Sequence, residues 1–259
     1  MKSAGSILWC PCLLVWLVVG CAPQQPLLRQ DWHHRDGIEA FLGLAAADIQ
    51  GLEDLRAEAS ITYQQAGRKE RGTAVLLFKS PDLLRVEVRG PFYSHVFTAL
   101  LQADSLIVFG SDGAWKGAAR GSLLLQLIDI DLGLYDLRYA LLGLVEPGRI
   151  DSSRQIEYPR ADRAIIPLQG GHLPRRIWVD LHRGFTTREE IAFPDGEVLL
   201  SRRLKDYQKV GRLYLPGRVE IRQDEASLVL EYRNYIPDKG VPDKSFTQGI
   251  PLDRLQRVD

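Results

Sequence analysis

The feature that most constrains this chain is a series of four extended segments, joined by short turns, between Gly72 and Phe109. A strand that buries only one face alternates apolar and polar residues. The runs 75–78 (VLLF) and 96–97 (VF) do not alternate, which predicts a sheet with apolar material on both faces. We interpret one face as packing on the rest of the fold and the other as lining an apolar cavity.

The composition is typical of a globular protein, with 45% hydrophobic and 25% charged residues. A chain of 259 residues is long enough for one large β domain or two small ones. Lys+Arg and Asp+Glu both total 33, so the overall charge gives no argument for a nucleic-acid surface or a strongly anionic membrane patch. We therefore expect no nucleic-acid partner.

The first twenty residues have the pattern of a secretory signal peptide. Lys2 precedes an apolar run, residues 7–19, that is too short to span a bilayer. The run ends in Val18-Val19-Gly20-Cys21, which resembles the lipobox of bacterial lipoproteins, where the Cys is acylated and becomes the first residue after cleavage. The alternative is a chance Cys behind an apolar run. We expect residues 1–20 to be removed and Cys21 to carry the lipid.

Cysteine usage and the residues after Cys21 extend this prediction. Cys10 and Cys12 lie in the segment to be removed, so the mature chain has neither a disulfide nor a second thiol. In bacterial lipoproteins an Asp after the Cys commonly marks retention in the inner membrane, and Ala22 stands here instead. We therefore expect a lipid-anchored protein at the periplasmic face of the outer membrane. Residues 21–35 are Pro- and Gln-containing and without periodicity, which predicts a flexible tether.

The rest of the chain predicts a mainly β (α+β) domain over residues 36–251, followed by a polar tail, 252–259. Asp36 begins a capping-box pattern, and apolar residues at helical spacing predict a helix ending near Gly51. Period-two patterns and turn residues then predict about eleven strands in antiparallel order. These strands are 55–63, 72–79, 83–89, 95–102, 105–110, 164–168, 175–181, 187–193, 197–204, 213–222 and 227–235.

Two short leucine-rich helices are predicted between residues 123 and 144. Their leucine content is high for surface helices. Two readings stay open: the helices cap an ordinary core, or they form a lid over the open side of the sheet. The candidate lid residues are Leu124, Leu127 and Leu141.

The chain carries no G-x-S-x-G, H-E-x-x-H or G-x-x-x-x-G-K motif. Asp180, Glu189 and Glu190 could pair for acid–base chemistry, but paired charges on the outer face of a sheet are the commoner explanation. We expect no enzymatic activity, no metal and no cofactor.

The order of these elements resembles the lipoprotein-localisation family, the LolA/LolB-like half-barrels. The resemblance covers roughly residues 36–251, and its most specific part is the run 79–85 (KSPDLLR) followed by Gly90-Pro91. With the lipobox in front, the lipidated outer-membrane member is the closer match. The resemblance implies a strongly curved, incomplete antiparallel barrel, with helices over its open side and acyl chains bound inside.

The resemblance also implies a function. The lipidated member receives lipoproteins from a soluble periplasmic carrier and inserts them into the outer membrane, using an exposed apolar residue on the loop after Gly-Pro. Here that loop carries Phe92 and Tyr93, where the family usually shows Leu-Gly. The side chains expected on the cavity wall are Ile61, Tyr63, Leu77, Val86, Val88, Ile177, Val179, Leu215 and Val219.

Two other functions remain open from the sequence. A lipoprotein with the same fold could bind another lipid or a protein partner without transfer, and an envelope hydrolase could use Asp180 or Glu190. The register of the strands is also open, because a shift of one residue would exchange the two faces of the sheet.

Overall fold

The structure is a computed structural model that describes residues 37–43, 51–119, 123–132, 137–144, 149–151, 153–169 and 173–258. Within these residues fifteen strands form a single sheet. The strands of the first half are β1 (Asp54–Gln65), β2 (Arg68–Lys79), β3 (Leu83–Arg89), β4 (His95–Gln102), β5 (Ser105–Gly110), β6 (Gly113–Ala118) and β7 (Arg149–Ile150). Those of the second half are β8 (Glu157–Arg160), β9 (Arg163–Gln169), β10 (Arg175–Asp180), β11 (Phe185–Ala192), β12 (Val198–Val210), β13 (Leu213–Gln223), β14 (Ala226–Pro237) and β15 (Gln256–Arg257).

The sheet is open, curved and antiparallel apart from one pair. Its order is β15-β6-β5-β4-β3-β2-β1-β14-β13-β12-β11-β10-β9-β7, with β8 pairing β9 at one edge. Short hairpins link almost all neighbours, and the β1–β14 pair joins the side of the sheet that runs from β15 to β1 to the side that runs from β14 to β7. Register shifts interrupt five of the pairings, and such bulges bend a strand and increase its twist. The predicted half-barrel is therefore the observed fold.

All eleven predicted strands are present, and four more complete the sheet. Strand β6 (GAWKGA) contains mostly Gly and Ala, which gives little alternation to detect. Strands β7 and β15 have two residues each, and β8 is exposed throughout. Strand β15 lies in the predicted polar tail and pairs with β6 in parallel.

Four α-helices accompany the sheet in the described ranges: α1 (37–43), α2 (Leu123–Ile128), α3 (Leu137–Leu142) and α4 (Lys244–Thr247). Helix α1 falls within the predicted N-terminal helix, whose continuation, residues 44–50, lies outside the described residues. Helix α3 ends at Gly143, which has a φ of 68°. In the part of the chain that the structure describes, no helix is both long and apolar enough to cross a bilayer.

Two apolar clusters lie on the concave face of the sheet. The larger one joins β1–β5 and β11–β14 to helices α2 and α3. The smaller one joins β9 and β10 to α1 through Ile38 and Phe41. In the cross-strand row that links them, Ile177 is opposite Glu189, Glu189 is opposite Arg202, and Arg202 is opposite Ile221. A buried ion pair therefore separates the two clusters.

A third cluster lies on the convex face, where the C-terminal segment crosses β3–β5. Phe246 of α4 is 1% exposed and packs with Leu100 and Ile107. The guanidinium of Arg85 donates hydrogen bonds to the carbonyl oxygens of Phe246, at 3.0 Å, and Gln248, at 2.7 Å. Apolar burial and these backbone contacts together hold the segment on the sheet.

Candidate functional site

An apolar cavity of about 240 Å³ lies between the concave face of the sheet and helices α2 and α3. Its wall comes from alternate residues of β1–β5 and β14, because successive side chains of a strand point to opposite faces. The apolar side chains of the wall are Ile61, Tyr63, Leu76, Leu84, Val86, Val88, Val96, Phe97, Ala99, Leu101, Leu106, Leu228 and Leu230.

The two short helices close the cavity from the open side. Leu124, Leu127 and Ile128 of α2 and Leu137 and Leu141 of α3 line it. The candidate lid residues named from the sequence, Leu124, Leu127 and Leu141, thus all face the cavity. This position explains the leucine content of the two helices, because their apolar faces both line the cavity and pack on the core.

Helix α2 is held at its C-terminal end by the end of β1. The hydroxyl of Tyr63 lies 3.0 Å from the carbonyl oxygen of Ile128 and 2.7 Å from Oε1 of Gln65, and these two acceptors share its single proton. The amide of Gln65 donates to the carboxylate of Asp129. Burial raises the pKa of Tyr63, and the carboxylates of Asp129 and Glu70 raise it further. The phenol therefore stays protonated and able to donate at physiological pH.

Helix α3 is held more firmly, from the floor of the sheet. Nη1 of Arg202 donates to the carbonyl oxygen of Ala140 at 3.1 Å, and Nη2 donates to that of Leu144 at 2.6 Å. The hydroxyl of Tyr232 donates to the carbonyl oxygen of Leu141. Burial raises the pKa of Tyr232, so this donor also keeps its proton. The carbonyl groups of Ala140 and Leu141, which lie in the last turn of α3, are thereby satisfied.

The cavity opens at the end of the sheet that carries the β3–β4 loop. Val96 and Leu127 line the cavity and are still 43% and 46% exposed, which places the opening between them. We call this the cavity mouth; Glu70, Arg71 and Arg89 are its charged lining residues. The β3–β4 loop begins at Gly90, itself a lining residue, and carries Phe92 and Tyr93.

Phe92 and Tyr93 are the most exposed large apolar side chains among the described residues, at 101% and 79%. Both have positive φ angles, 56° and 59°, a region that non-glycine residues adopt at a cost. The loop therefore holds two aromatic rings in solvent on a strained backbone, directly beside the cavity mouth. Neither ring folds back onto the sheet.

The remaining predicted wall residues lie as follows. Ile61, Tyr63, Val86 and Val88 are on the cavity wall. Leu77 is not: it lies on the convex face and packs against the cluster around Phe246. The reason is the register, because Lys79 is opposite Leu83 and Leu76 is consequently opposite Val86. Leu76 takes the place that the sequence reasoning gave to Leu77, and the length of the turn at 80–82 was the signal for it. The sequence reasoning also missed the wall residues Leu84, Val96, Phe97, Ala99, Leu101, Leu106, Leu228 and Leu230.

Four further predictions for the wall are corrected by the structure. Ile177 and Val179 face the concave side but are buried in the smaller cluster under α1. Leu215 and Val219 are fully buried in the main cluster, beyond the cavity. The alternation in β10 and β13 correctly indicated which face of each strand is buried. Alternation alone cannot tell whether a buried residue lines a cavity or packs in a filled core. The predicted lipid-attachment site, Cys21, lies outside the described residues.

The acidic residues considered for catalysis lie apart. Glu189 faces the concave side between Arg175 and Arg202, whereas Glu190 faces the convex side between Arg176 and Arg188. The carboxylate of Asp180 accepts a hydrogen bond from the backbone N–H of Arg183 at 3.0 Å. Within the described ranges, no three His, Cys, Asp or Glu side chains are grouped so that they could hold a metal ion.

No family model matches the sequence, and no curated protein matches it either. Solved structures do resemble the fold. A LolA superfamily protein from Nitrosomonas europaea superposes with a TM-score of 0.55 at 15% identity, covering 81% of this chain and 97% of the other. A DUF1329 family protein from Desulfovibrio piger gives 0.61 at 13% identity, covering 84% and 98%.

A third structure is a candidate outer membrane lipoprotein-sorting protein domain from Vibrio parahaemolyticus, with a TM-score of 0.58, 11% identity and coverage of 80% and 94%. At such low identities these similarities establish the fold. The chain has the fold of the LolA/LolB-like half-barrels, with its apolar cavity between the curved sheet and two helices.

Proposed function

We propose that this protein is an outer-membrane lipoprotein, anchored through Cys21, that binds acyl chains in its cavity. It would accept lipoproteins from a soluble periplasmic carrier and insert them into the outer membrane. The observation that carries the proposal is the continuity between the apolar cavity, its mouth and the exposed aromatic pair Phe92 and Tyr93. No covalent chemistry is required of the protein.

The cavity wall suits an acyl chain because nearly all of its lining is aliphatic. Each buried methylene contributes about 0.8 kcal/mol, so roughly ten methylenes would contribute about 8 kcal/mol. An acyl chain bound in this way leaves its polar end at the cavity mouth, where Arg71 and Arg89 lie. Exposed Phe and Tyr side chains partition into the interfacial region of a bilayer, which would bring the mouth to the membrane.

The cavity volume supports a second function, binding of a small lipid or a partner protein without transfer. Ligand pockets usually have volumes of about 300–1,000 Å³, and this cavity, at about 240 Å³, is smaller because the leucines of α2 and α3 occupy part of the concavity. A protein with the same fold that binds a smaller lipid or a partner, without transfer, would need no larger space. For the role in lipoprotein transfer, α2 has to move outward as the acyl chain enters the cavity.

A direct test uses the full chain purified from bacterial membranes and two matched variants. Val88→Trp places a large ring in the cavity near its mouth, and Val75→Trp places the same ring on the convex face of the neighbouring strand. The measurements are the lipids that co-purify, identified by mass spectrometry, and the transfer of an acylated lipoprotein from a soluble carrier.

We expect Val88→Trp to reduce bound lipid and transfer by at least about tenfold, while Val75→Trp keeps both, with thermal unfolding confirming that each variant is folded. Bound lipid without any transfer would support the second function. Absence of lipid from the unmodified protein, together with no transfer, would exclude both roles.

A further inference from the structure

The convex face of β10–β14 carries an excess of basic side chains that neither the cavity nor its lid uses. Besides Asp180 and Lys209 near the strand ends, whose charges cancel, seven cations and three carboxylates point outward from these five strands, which leaves four positive charges in excess. We call this surface the basic face. Its residues are Arg176, Arg188, Arg203, Lys205, Arg218, Arg222 and Arg233, with Glu190, Glu220 and Glu231.

The carboxylates of the basic face are already shared between the arginines. Glu190 contacts both Arg176 and Arg188, and Glu220 contacts both Arg218 and Arg222. Glu231 contacts Arg218. The exposed cations Arg203, Lys205 and Arg233 have no acidic contact among the described residues. The surplus charge therefore faces solvent.

Like charges are also placed directly opposite each other. Arg188 is opposite Arg203 on the neighbouring strand, and Lys205 is opposite Arg218. On their other sides Arg203 is opposite Glu220, and Arg218 is opposite Glu231. Directly opposed like charges on one face of an antiparallel pair are destabilising. The chain as a whole is neutral, so this clustering is a property of where the cations are placed and not of their number. Such a surface is stabilised when an anionic partner covers it.

Trp178 lies within the basic face. The guanidinium carbons of Arg176 and Arg188 are 5.4 and 4.9 Å from the centre of its ring. Six of the seven cations are arginines, whose planar fork matches a carboxylate at two points. Trp and Arg are the residue types that contribute most to binding at protein–protein interfaces.

The geometry selects an extended acidic segment over other anions. Side chains on one face of a strand repeat at about 6.7 Å, and alternate residues of an extended peptide have the same repeat. Arg203 and Lys205, successive outward residues of β12, therefore match two alternate carboxylates of a peptide that lies along this strand, with Arg188 of β11 and Arg218 of β13 on either side. A flat bilayer, by contrast, touches a convex sheet over only part of its area.

We infer that the basic face is the docking surface for an extended, Asp- or Glu-rich segment of a partner protein. It lies on the opposite face of the sheet from the cavity, so docking leaves the cavity and its mouth open. This inference stands apart from the proposed lipid binding, and each can fail without the other.

The test reconstitutes the full chain in nanodiscs of uncharged phosphatidylcholine and measures the anisotropy of a fluorescein-labelled oligoglutamate. The double variant Arg203→Glu/Lys205→Glu reverses two unpaired charges of the basic face. The matched control, Lys244→Glu/Arg257→Glu, makes the same change at exposed residues of the C-terminal segment. Polyphosphate and phosphatidylglycerol vesicles are added as competitors.

We expect the unmodified chain to bind the peptide with an affinity that falls as salt increases. The variant of the basic face should bind at least about tenfold more weakly, and the control less than about twofold. Should the reversal unfold the protein, Arg203→Gln/Lys205→Gln replaces it, with an expected loss of about threefold. An equal loss in both double variants, or no binding at all, would overturn the inference. Polyphosphate or vesicles that compete better, per charge, than unlabelled oligoglutamate would also overturn it.

Discussion

Glu189 and Arg202 lie opposite each other on β11 and β12, and both side chains are completely buried. The carboxylate of Glu189 contacts the guanidinium groups of Arg175 and Arg202 from its two oxygens. Arg202 in turn donates to the backbone carbonyl groups at the end of α3. One ion-pair network thus separates the two apolar clusters and fixes half of the lid.

Replacing Arg202 with Met should be strongly destabilising. The variant leaves Glu189, which is fully buried, with one of its two cations, and it removes the donors to the carbonyl oxygens of Ala140 and Leu144. Breaking a buried ion pair by removing one partner costs about 3–5 kcal/mol. We expect a loss of that size in the free energy of unfolding, measured by urea denaturation followed by circular dichroism.

The neighbouring residue supplies the control for this prediction. Arg203 is exposed on the convex face, and Arg203→Met should change stability by no more than about 0.5 kcal/mol. Similar losses in the two variants would show that the network around Glu189 contributes no special stability.

The hydroxyl of Tyr63 should control how easily α2 moves. Tyr63→Phe removes the donor to the carbonyl oxygen of Ile128 but keeps the ring in the cavity wall. We expect a loss of stability of about 1 kcal/mol and faster entry of a fluorescent fatty acid, measured by stopped-flow mixing. Tyr235→Phe removes a buried hydroxyl that donates to Pro216 at 2.8 Å, away from α2, and serves as the control. It should lower stability without changing the entry rate; unchanged entry in Tyr63→Phe would contradict this role.

The sequence predicted the strands better than it predicted what they face. Hairpin spacing and alternation located eleven of the fifteen strands in the described residues, because turn residues and period-two patterns are local signals. The wall could not be assigned in the same way. Leu77 and Leu76 are adjacent and equally apolar, and only the pairing with β3 places Leu76 inside. Ile177 and Val219 show the same alternation as true wall residues, and whether a helix or empty space covers them depends on residues distant in the sequence.

The exposed aromatic pair should be important for membrane contact and not for folding. Phe92→Gly/Tyr93→Gly removes two solvent-exposed rings and gives both positions a residue that adopts positive φ without strain. We expect stability to stay within about 1 kcal/mol of the starting value or to rise. Binding to vesicles, measured by co-sedimentation in a Cys21→Ser background, should weaken by at least about tenfold, since burying one such ring contributes about 1.5–3 kcal/mol.

An exposed apolar residue elsewhere provides the comparison. Leu252 is 49% exposed, and Leu252→Gly should leave vesicle binding unchanged. If the two aromatic positions behave like Leu252, the β3–β4 loop is not the membrane contact.

Composition gave no indication of the basic face. Equal numbers of acidic and basic residues gave no argument for a nucleic-acid surface, yet the same totals permit strong segregation of charge once strands are paired. Arg188, Arg203 and Arg222 are far apart in the sequence and come together only because β11, β12 and β13 are neighbours. Alternation does assign each of them to the solvent face, but the strand order that assembles the patch is not a local property. The pairing of Glu189 with Arg202 was invisible for the same reason.

Acid should remove the contribution of Glu87 to stability. Burial alone would raise the pKa of Glu87, but hydrogen bonds from Arg89 and Arg85 outweigh it and hold the pKa below its ordinary value. A carboxylate whose pKa is lower in the folded state stabilises the protein above its unfolded pKa, about 4.3, and this stabilisation is lost as the pH falls through the folded value.

Glu87→Gln should therefore lower the free energy of unfolding by about 1 kcal/mol at pH 7. At low pH, where Glu87 is protonated, the substitution should have no effect and the unfolding curves of the two proteins should converge. Glu58→Gln, which breaks an exposed pair with Arg56, should cost less than about 0.5 kcal/mol at pH 7. If the difference in unfolding free energy between Glu87→Gln and the unmodified protein stays constant down to low pH, the charge of Glu87 is not what stabilises the fold. Glu87 would then hold Arg85 against the C-terminal segment through side-chain packing.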